Sequence, residues 1–513
     1  MSSARLVLLI AVGVAIGTGC SKSSTASQFE PETTVLGESA ADSGTLTCQP
    51  KTCAFWNRQC GQEIDGCGGT VDCGGCDQGS TCMGPFQGVC SRSCVAATCA
   101  DLGSGACGDF DDGCGGTLNC GGCAANEICT TSGGCYAPAG ANHSNIEWVR
   151  TIASPEWDDL RSVTIDAQGD IWTVGYDSRG RAAGQEALSI LRFDSNGNLK
   201  STITHADMGH WSWINNDALA ITSSGDLFLH YYVNCTDHAC QYAKWGAQSV
   251  GNSLLIKLAQ DGSFLWVAQE GDYANDLAIT PSGTAWTTTG GFMGGSTLVR
   301  RSGSGQLLPT PGVTDSYIGG LAVDGAGDVL FGADNGLELR DDSGAKMWKQ
   351  RLTGTGWATL NSVKIAPNGT IAATGKATGS LSWGGGSIIV PGQLNTVALL
   401  TANADGTPRA LTSVRAPQSA KAVVAINDQA IALIHDGDMY SCSDGFVAKF
   451  DHDLQQIWER RLSPDCSDQG QVIPEDVALL PDGSVIVVGS FLGTTSVGTA
   501  AGSRDGFILK LAP

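Results

Sequence analysis

The reading of the fold turns on DVALLPDGSVIVVG at 476–489 and GFILKLAP at 506–513. An apolar run leads into a turn with glycine near its end, a second apolar run follows, and a third strand comes after a longer gap. That is the signature of short antiparallel strands joined by tight turns. The unit recurs as SVTIDAQGDIWTVG (162–175), ALAITSSGDLFLHY (218–231), DLAITPSGTAWTTT (276–289), GLAVDGAGDVLFGA (320–333), SVKIAPNGTIAATG (362–375) and AVVAINDQAIALIH (422–435). The turn needs a residue that tolerates positive φ, and Gly169, Gly225, Gly283, Gly327, Gly369 and Gly483 supply it. Only the sixth unit departs, with Gln429 at that place.

Each unit is followed by a third strand, such as SLLIKLAQD (253–261) or GFVAKFDHD (445–453). A fourth strand is marked in several copies by Trp266, Trp348 and Trp458. Seven repeats of four short antiparallel strands predict a seven-bladed β-propeller, a ring that leaves few exposed sheet edges. The seventh unit has no fourth strand after GFILKLAP, and an orphan strand, IEWVRTI (146–152), precedes the first unit. Its WVRTI matches WKQRL (348–352) and WERRL (458–462). The N-terminal strand is therefore expected to complete the last blade and to close a ring of seven, spanning 145–513.

Composition agrees with an all-β chain. Of 513 residues, 70 are Gly and only 16% are charged, and the formal net charge is −22. A surface this acidic repels phosphate backbones, which excludes a nucleic-acid partner.

Upstream of the propeller the chain changes character. Residues 1–20 carry one positive charge (Arg5) and the apolar run Leu6–Gly17, too short to span a bilayer but suited to a signal-peptide core. The end, Ile16-Gly17-Thr18-Gly19-Cys20, resembles the bacterial lipobox. That resemblance implies diacylglycerol on the Cys20 thiol, cleavage before it and membrane attachment through the lipid. Ser21 after the cysteine resembles lipoproteins sent on to the outer membrane. Cys20 is also the odd member of an otherwise even cysteine set. Residues 21–47 are rich in Ser, Thr, Glu and Ala, cannot bury enough surface to fold, and read as a flexible tether.

Between 48 and 135 lie two eight-cysteine modules. The first (48–90) places them at Cys48, Cys53, Cys60, Cys67, Cys73, Cys76, Cys82 and Cys90, and the second (94–135) at Cys94, Cys99, Cys107, Cys114, Cys120, Cys123, Cys129 and Cys135. GCGGTVDCGGC (66–76) matches GCGGTLNCGGC (113–123). Units this small need covalent staples, so structural disulfides are expected over zinc or redox use of the CxxC pairs. Eight cysteines allow 105 connectivities, and spacing does not choose among them. The fold class expected is all-β: a seven-bladed propeller preceded by two small disulfide-rich modules. The modules are similar to Cys-rich repeats near the N-termini of some bacterial surface proteins. The propeller units resemble the seven-bladed propeller repeats of bacterial exported proteins, with their pattern Gly-Phe-x-x-Lys-Phe/Leu followed by a strand ending near Trp. Residues 445–462 and 476–513 carry that resemblance best. It implies the fold; propellers host unrelated activities.

Topology puts the glycine turns on one face and the strand 2–3 loops, with the blade connections, on the other. That second face holds the long segments 176–187, 232–252, 376–395 and 490–505 and many of the aromatics: Trp157, Trp211, Trp213, Tyr242, Trp245, Trp357 and Trp383. Exposed, they suit sugar rings or protein partners; the alternative is that they cap the core between blades. Cys235 with Cys240, and Cys442 with Cys466, are expected loop disulfides on this face. His205 and His210 lack a third ligand for zinc, and Asp436, Asp438 and Asp444 offer oxygen to Ca²⁺ without the glycine and terminal glutamate of an EF-hand. Neither a Ser-His-Asp order nor a phosphate loop is present. A non-enzymatic, envelope-anchored binding protein for a protein or polysaccharide partner is the expectation. The alternative is a propeller enzyme of lyase, lactonase or dehydrogenase type using acidic residues and histidines around the channel.

Overall fold

The computed structural model describes residues 52–53, 62–64, 69–75, 80–83, 89–92, 98–99, 109–111, 117–122, 128–129 and 135–136. It also describes 145–513 except 155–156, 178–186, 206–211, 215–216, 234–243, 246–247, 250–251, 271–273, 291–295, 311–317, 334, 391–395, 415–421, 436–444 and 463–469. The chain divides into two compact units, Met1–Arg92 and Ser93–Pro513. The described residues form strands and turns, with no helix among them.

In the first unit Gln62–Ile64 pairs with Thr70–Asp72, and Ser80–Met83 with Val89–Arg92. The second unit opens with the same pair of hairpins, Asp109–Asp111 with Thr117–Asn119 and Ile128–Cys129 with Cys135–Tyr136. The repeated CGGC motif gives the same turn twice, with the Gly74 N–H donating to Asp72 Oδ1 and the Gly121 N–H to Asn119 Oδ1, both at 2.8 Å. Disulfides join Cys53 to Cys73 and Cys99 to Cys120, the second and fifth cysteines of each module. Each bond splits a CxxC pair, so Cys73/Cys76 and Cys120/Cys123 are not redox dithiols.

The propeller follows in blade order. Blade 1 is Asp159–Ile165, Ile171–Asp177, Ala187–Phe193 and Leu199–His205, each strand antiparallel to the next. Blade 7 contains Gln471–Leu479, Val485–Leu492 and Asp505–Leu511, and its fourth strand is Ile146–Ile152, with Thr151 opposite Phe507 and Val149 opposite Leu509. The ring closes non-covalently through the orphan strand. First strands pack against one another around the circle, blade 7 against blade 1 included, so they line the channel and the fourth strands form the rim. Apolar residues fill the space between neighbouring sheets: Trp172, Leu188, Leu227 and Leu254 between blades 1 and 2, for example. The six turn glycines have φ from +80° to +93°, as the repeat requires.

Fourth-strand tryptophans clip three blades to the blades that follow them. Trp148, Trp266 and Trp348 lie against Gly197, Gly305 and Gly406 in the strand 3–4 turn of the following blade. The indole N–H of Trp148 donates to Ser195 O at 3.3 Å and that of Trp266 to Gly303 O at 3.0 Å. Third-strand lysines serve the same end in two blades, Lys449 Nζ donating to Gly483 O at 2.8 Å and Lys257 Nζ to Gly303 O at 3.3 Å, whereas Lys510 pairs with Glu147 and Asp482 within blade 7. A matched pair of substitutions tests the clip. Gly283 has φ +83° and nothing within 4 Å of an added Cβ, whereas Gly406 has φ +82° and Trp348 Cδ2 at 2.8 Å. Gly283→Ala should cost about 1 kcal/mol of backbone strain, and Gly406→Ala that amount plus a further 1–3 kcal/mol of overpacking, read as a lower thermal midpoint. Equal losses would mean the tryptophan contributes nothing there.

Blades 2 and 5 carry extra strands, and blades 3 and 6 lack part of the repeat among the described residues. Among the described residues blade 3 has three strands, Ala274–Ile279, Ala285–Gly290 and Ser296–Arg301; past its turn Arg301 and Leu307 form a bridge, and the Leu308 N–H donates to Arg300 O at 2.9 Å. Pro309 explains the break there, because it has no N–H to give a ladder. In blade 6 the first turn closes from the Asn427 N–H to Ala430 O and is one residue shorter than the Asp166–Asp170 turn of blade 1. Gln429 therefore does not replace the glycine; the glycine position is deleted.

Candidate functional site

A β-bulge interrupts the first strand of blades 1, 3, 4, 5 and 7, near its entry from the face of the blade connections. Bulges re-aim side chains. Just after four of them stand Ser162, Asp276, Ser362 and Asp476, all buried. Each accepts a backbone N–H from the next blade: Ser162 Oγ from Leu219 at 3.3 Å, Asp276 Oδ2 from Leu321 at 2.6 Å, Ser362 Oγ from Val424 at 3.2 Å, and Asp476 Oδ2 from Val163 at 2.9 Å. Blades 2, 4 and 6 have Ala218, Gly320 and Val423 at this place, so acceptors stand in blades 1, 3, 5 and 7 and meet as neighbours where blade 7 joins blade 1.

Lys364, on the first strand of blade 5, reaches Asp217 at the entry of blade 2 and forms an ion pair with its Oδ1. These blades are not neighbours, so the pair crosses the channel. Asp217 sits at φ +55°, a left-handed backbone that aspartate tolerates better than most residues. Its N–H lies 3.4 Å from Asp476 Oδ2. One ammonium thus faces three carboxylates, Asp217, Asp276 and Asp476, from blades 2, 3 and 7. Burial opposes the charge on Lys364, but attraction to Asp217, Asp276 and Asp476 outweighs it and holds the ammonium above its ordinary range. Burial and then repulsion from Asp217 push Asp476 up to about 7 and Asp276 well above the usual carboxylate range, despite Lys364 and the backbone donors. Such perturbed groups in a channel are the usual mark of a functional locus or of a structural charge network.

A pH dependence follows. Asp476 binds its proton more tightly in the folded state, so its contribution to stability is full below the ordinary carboxylate pKa and is lost as pH rises through about 7. His230 acts in the other direction. Burial lowers it to about 3, so its contribution is present above about 6.5 and lost as pH falls through that interval. Asp476→Asn should flatten the decline of stability between pH 5 and 8 by a few kcal/mol, measured by denaturant titration at several pH values. Parallel curves for the two proteins would refute the assignment.

The structure separates the aromatics expected on the loop face. Trp157 and Trp357 are 43% and 49% exposed. Trp157 forms a backbone bridge with Arg504, whose guanidinium lies over its ring at 4.5 Å. Behind this pair, Arg161 bonds Asp159 at 2.5 Å and Glu475 at 2.8 Å. Trp357 starts the strand Trp357–Ile365, opposite Thr378. Trp383 is 1% exposed and gives its indole N–H to Thr401 O at 2.8 Å, so it belongs to the core and offers no binding surface. The reason is that most of segment 376–395 is a hairpin rather than an open loop. Ile371–Trp383 runs on past the blade and returns as Gly386–Val390, and its turn lies against Pro408 and Leu411 of the fourth strand. The strands Ser212–Trp213 and Lys244–Trp245 pair with Tyr232–Val233 and Gln248–Ser249, and the side chains of Trp213 and Trp245 lie outside the described residues. So do Cys20, Trp211, His210, Tyr242, Cys235, Cys240, Cys442, Cys466 and the Asp436, Asp438, Asp444 group considered for Ca²⁺.

His205 stands at the end of Leu199–His205, pushed below its ordinary value by burial, and His230 is neutral within blade 2, with Nε2 3.3 Å from Ser253 Oγ. Among the described residues no three His, Cys, Asp or Glu are arranged to hold a metal ion. The sequence reading missed Lys364, Asp217 and the ring of acceptors. A signal was present: at this place the units carry Ser162, Ala218, Asp276, Gly320, Ser362, Val423 and Asp476, and an apolar strand would not otherwise place Ser or Asp in four of them.

The chain is similar to several solved structures. One is described as the crystal structure of the mitotic checkpoint complex, at 12% identity over 72% of this chain and 94% of that one, with a TM-score of 0.43. A protein of unknown function from Dyadobacter fermentans is 12% identical over 72% of this chain and 99% of its own, with a TM-score of 0.39. The Pan2 WD40 domain of Neurospora crassa is 9% identical over 73% and 97%, with a TM-score of 0.41. No protein-family model matches the chain, and no curated protein matches it.

Proposed function

We propose that this protein is a non-enzymatic binding protein, held at the cell envelope by a lipid on Cys20 and presenting the loop face of its propeller to an envelope protein or polysaccharide. The observation that carries the binding role is the exposure of Trp157 and Trp357 at the entries of two first strands, Trp357 as the first residue of Trp357–Ile365 and Trp157 bridged to Arg504 just ahead of Asp159–Ile165. A rigid, half-exposed indole gives large contact area at low entropic cost. The Lys364–Asp217 pair favours this reading over a channel enzyme, because it occupies the place where a substrate would meet the carboxylates.

Soluble protein of residues 21–513 should retain one fraction when exposed to envelope material separated into protein and polysaccharide. Trp157→Ala with Trp357→Ala should weaken that retention roughly thirtyfold, equivalent to about 2 kcal/mol, without changing the thermal midpoint by more than a few degrees. Retention of neither fraction, or retention indifferent to both tryptophans, would overturn the proposal. For the anchor, globomycin treatment or Cys20→Ala should release the protein from membranes; persistence of the acylated form would refute Cys20 as the site.

A further inference from the structure

Two bonds are assigned by the described geometry of the modules, Cys53–Cys73 and Cys99–Cys120. The backbone register carries the assignment further. In the first module Cys82 stands directly opposite Cys90 across the hairpin of Ser80–Met83 and Val89–Arg92. In the second, Cys129 stands directly opposite Cys135 across Ile128–Cys129 and Cys135–Tyr136. Residues facing each other in an antiparallel pair have Cα atoms about 4.5–5.5 Å apart, within the range a disulfide spans. The two hairpins are not copies in length: seven residues separate Cys82 from Cys90, and five separate Cys129 from Cys135. Registry of cysteine with cysteine survives that change, which an incidental alignment would not do.

We propose that the seventh and eighth cysteines of each module are joined, Cys82 to Cys90 and Cys129 to Cys135. Each bond forms as two thiols lose two protons and two electrons, the electrons reducing the disulfide of an oxidised dithiol donor in the compartment that receives the chain. With the second and fifth cysteines also paired, four cysteines per module remain, and the 105 connectivities fall to three. The cross-strand bridge holds a hairpin that is otherwise too short to persist alone. It makes each module a covalently closed unit with no free CxxC.

The sequence provides cleavage sites that isolate both bonds in the unreduced full chain. Cyanogen bromide at Met83 with cleavage before Asp77 and after Arg92 yields a peptide 77–83 containing only Cys82 and a peptide 84–92 containing only Cys90. Cleavage after Glu127 and Glu147 yields a peptide 128–147 containing only Cys129 and Cys135. The expected mass spectrum shows 77–83 joined to 84–92 until reductant is added, and 128–147 released alone at two hydrogens below its dithiol mass. Attachment of either peptide to any other cysteine peptide, or alkylation of these cysteines without reduction, would overturn the proposal. No variant is required, so a failure to fold cannot imitate either result.

Discussion

Replacing residues 146–152 with a Gly/Ser segment of equal length is expected to abolish cooperative folding of the propeller. In blade 7 this strand pairs along Asp505–Leu511, from Gly506 opposite Ile152 to Leu511 opposite Ile146. All seven residues of Asp505–Leu511 are buried, so the replacement exposes a strand edge built for the interior. Ile152 is 4% exposed, and Val149 and Trp148 pack against cores on either side of the sheet. Burying one such aliphatic side chain contributes about 2 kcal/mol and each ladder hydrogen bond about 1 kcal/mol net. Together these reach about 5–10 kcal/mol, comparable to the whole stability of an ordinary domain. Trp148 also clips blade 7 to blade 1 at Gly197, and Arg150 adds a bond to Gly197 O at 2.8 Å, so the loss reaches the neighbouring blade. The checks are near-UV circular dichroism and urea unfolding: a native signal and an unchanged midpoint would mean that the ring does not depend on this closure. A peptide of residues 145–152 supplied in trans at millimolar concentration should restore part of the signal.

That closure is legible in the sequence because it rests on matched local patterns: WKQRL and WERRL each lie one turn after a third strand, and WVRTI resembles them while the seventh third strand lacks such a partner. The glycine turns were legible for the same reason, since φ near +80° leaves few residues to choose from. Legibility failed where a repeat was broken by backbone chemistry or by length. Pro309 interrupts the ladder of blade 3 after the Arg301–Leu307 bridge, and one missing residue removes the glycine from the first turn of blade 6. Trp383 falls on the loop face in the sequence because the twenty-residue gap 376–395 between strands suggests a loop, whereas an alternating run such as LSWGGGSIIV makes its own hairpin and buries its tryptophan. The channel site was the least legible part. Lys364 and Asp217 are 147 residues apart, and only closure of the ring makes them neighbours. Polar residues at the head of the units were visible, but nothing local says that they face the next blade rather than water.

Removal of the ammonium should show how much of the ring this crossing supports. Lys364→Met keeps the apolar stem and removes the charge, leaving Asp217, 8% exposed, beside Asp276 and Asp476 without a counter-ion. Breaking a buried pair on one side costs about 3–5 kcal/mol, because the partner remains buried and charged. Lys364 keeps 27% of its side-chain surface exposed, so the expected loss is at the lower end, about 3 kcal/mol. The loss should grow with pH, since Asp476 ionises near 7 and its charge then adds to that of Asp217. Asp217→Asn alone should cost less than Lys364→Met, because the lysine still has Asp276 and Asp476 to attract it. The double variant Asp217→Asn, Lys364→Met should recover about half of the single-lysine loss, a coupling that only direct interaction produces. Urea unfolding of the four proteins at pH 6 and pH 8 completes the cycle. Additive losses, or a Lys364→Met effect independent of pH, would show that the channel pair is incidental to the ring. Coupling that strengthens with pH would instead make the crossing a constraint on how blades 2, 3, 5 and 7 are held, and through them on the entries where Trp357 and, beyond Asp476, Trp157 are displayed.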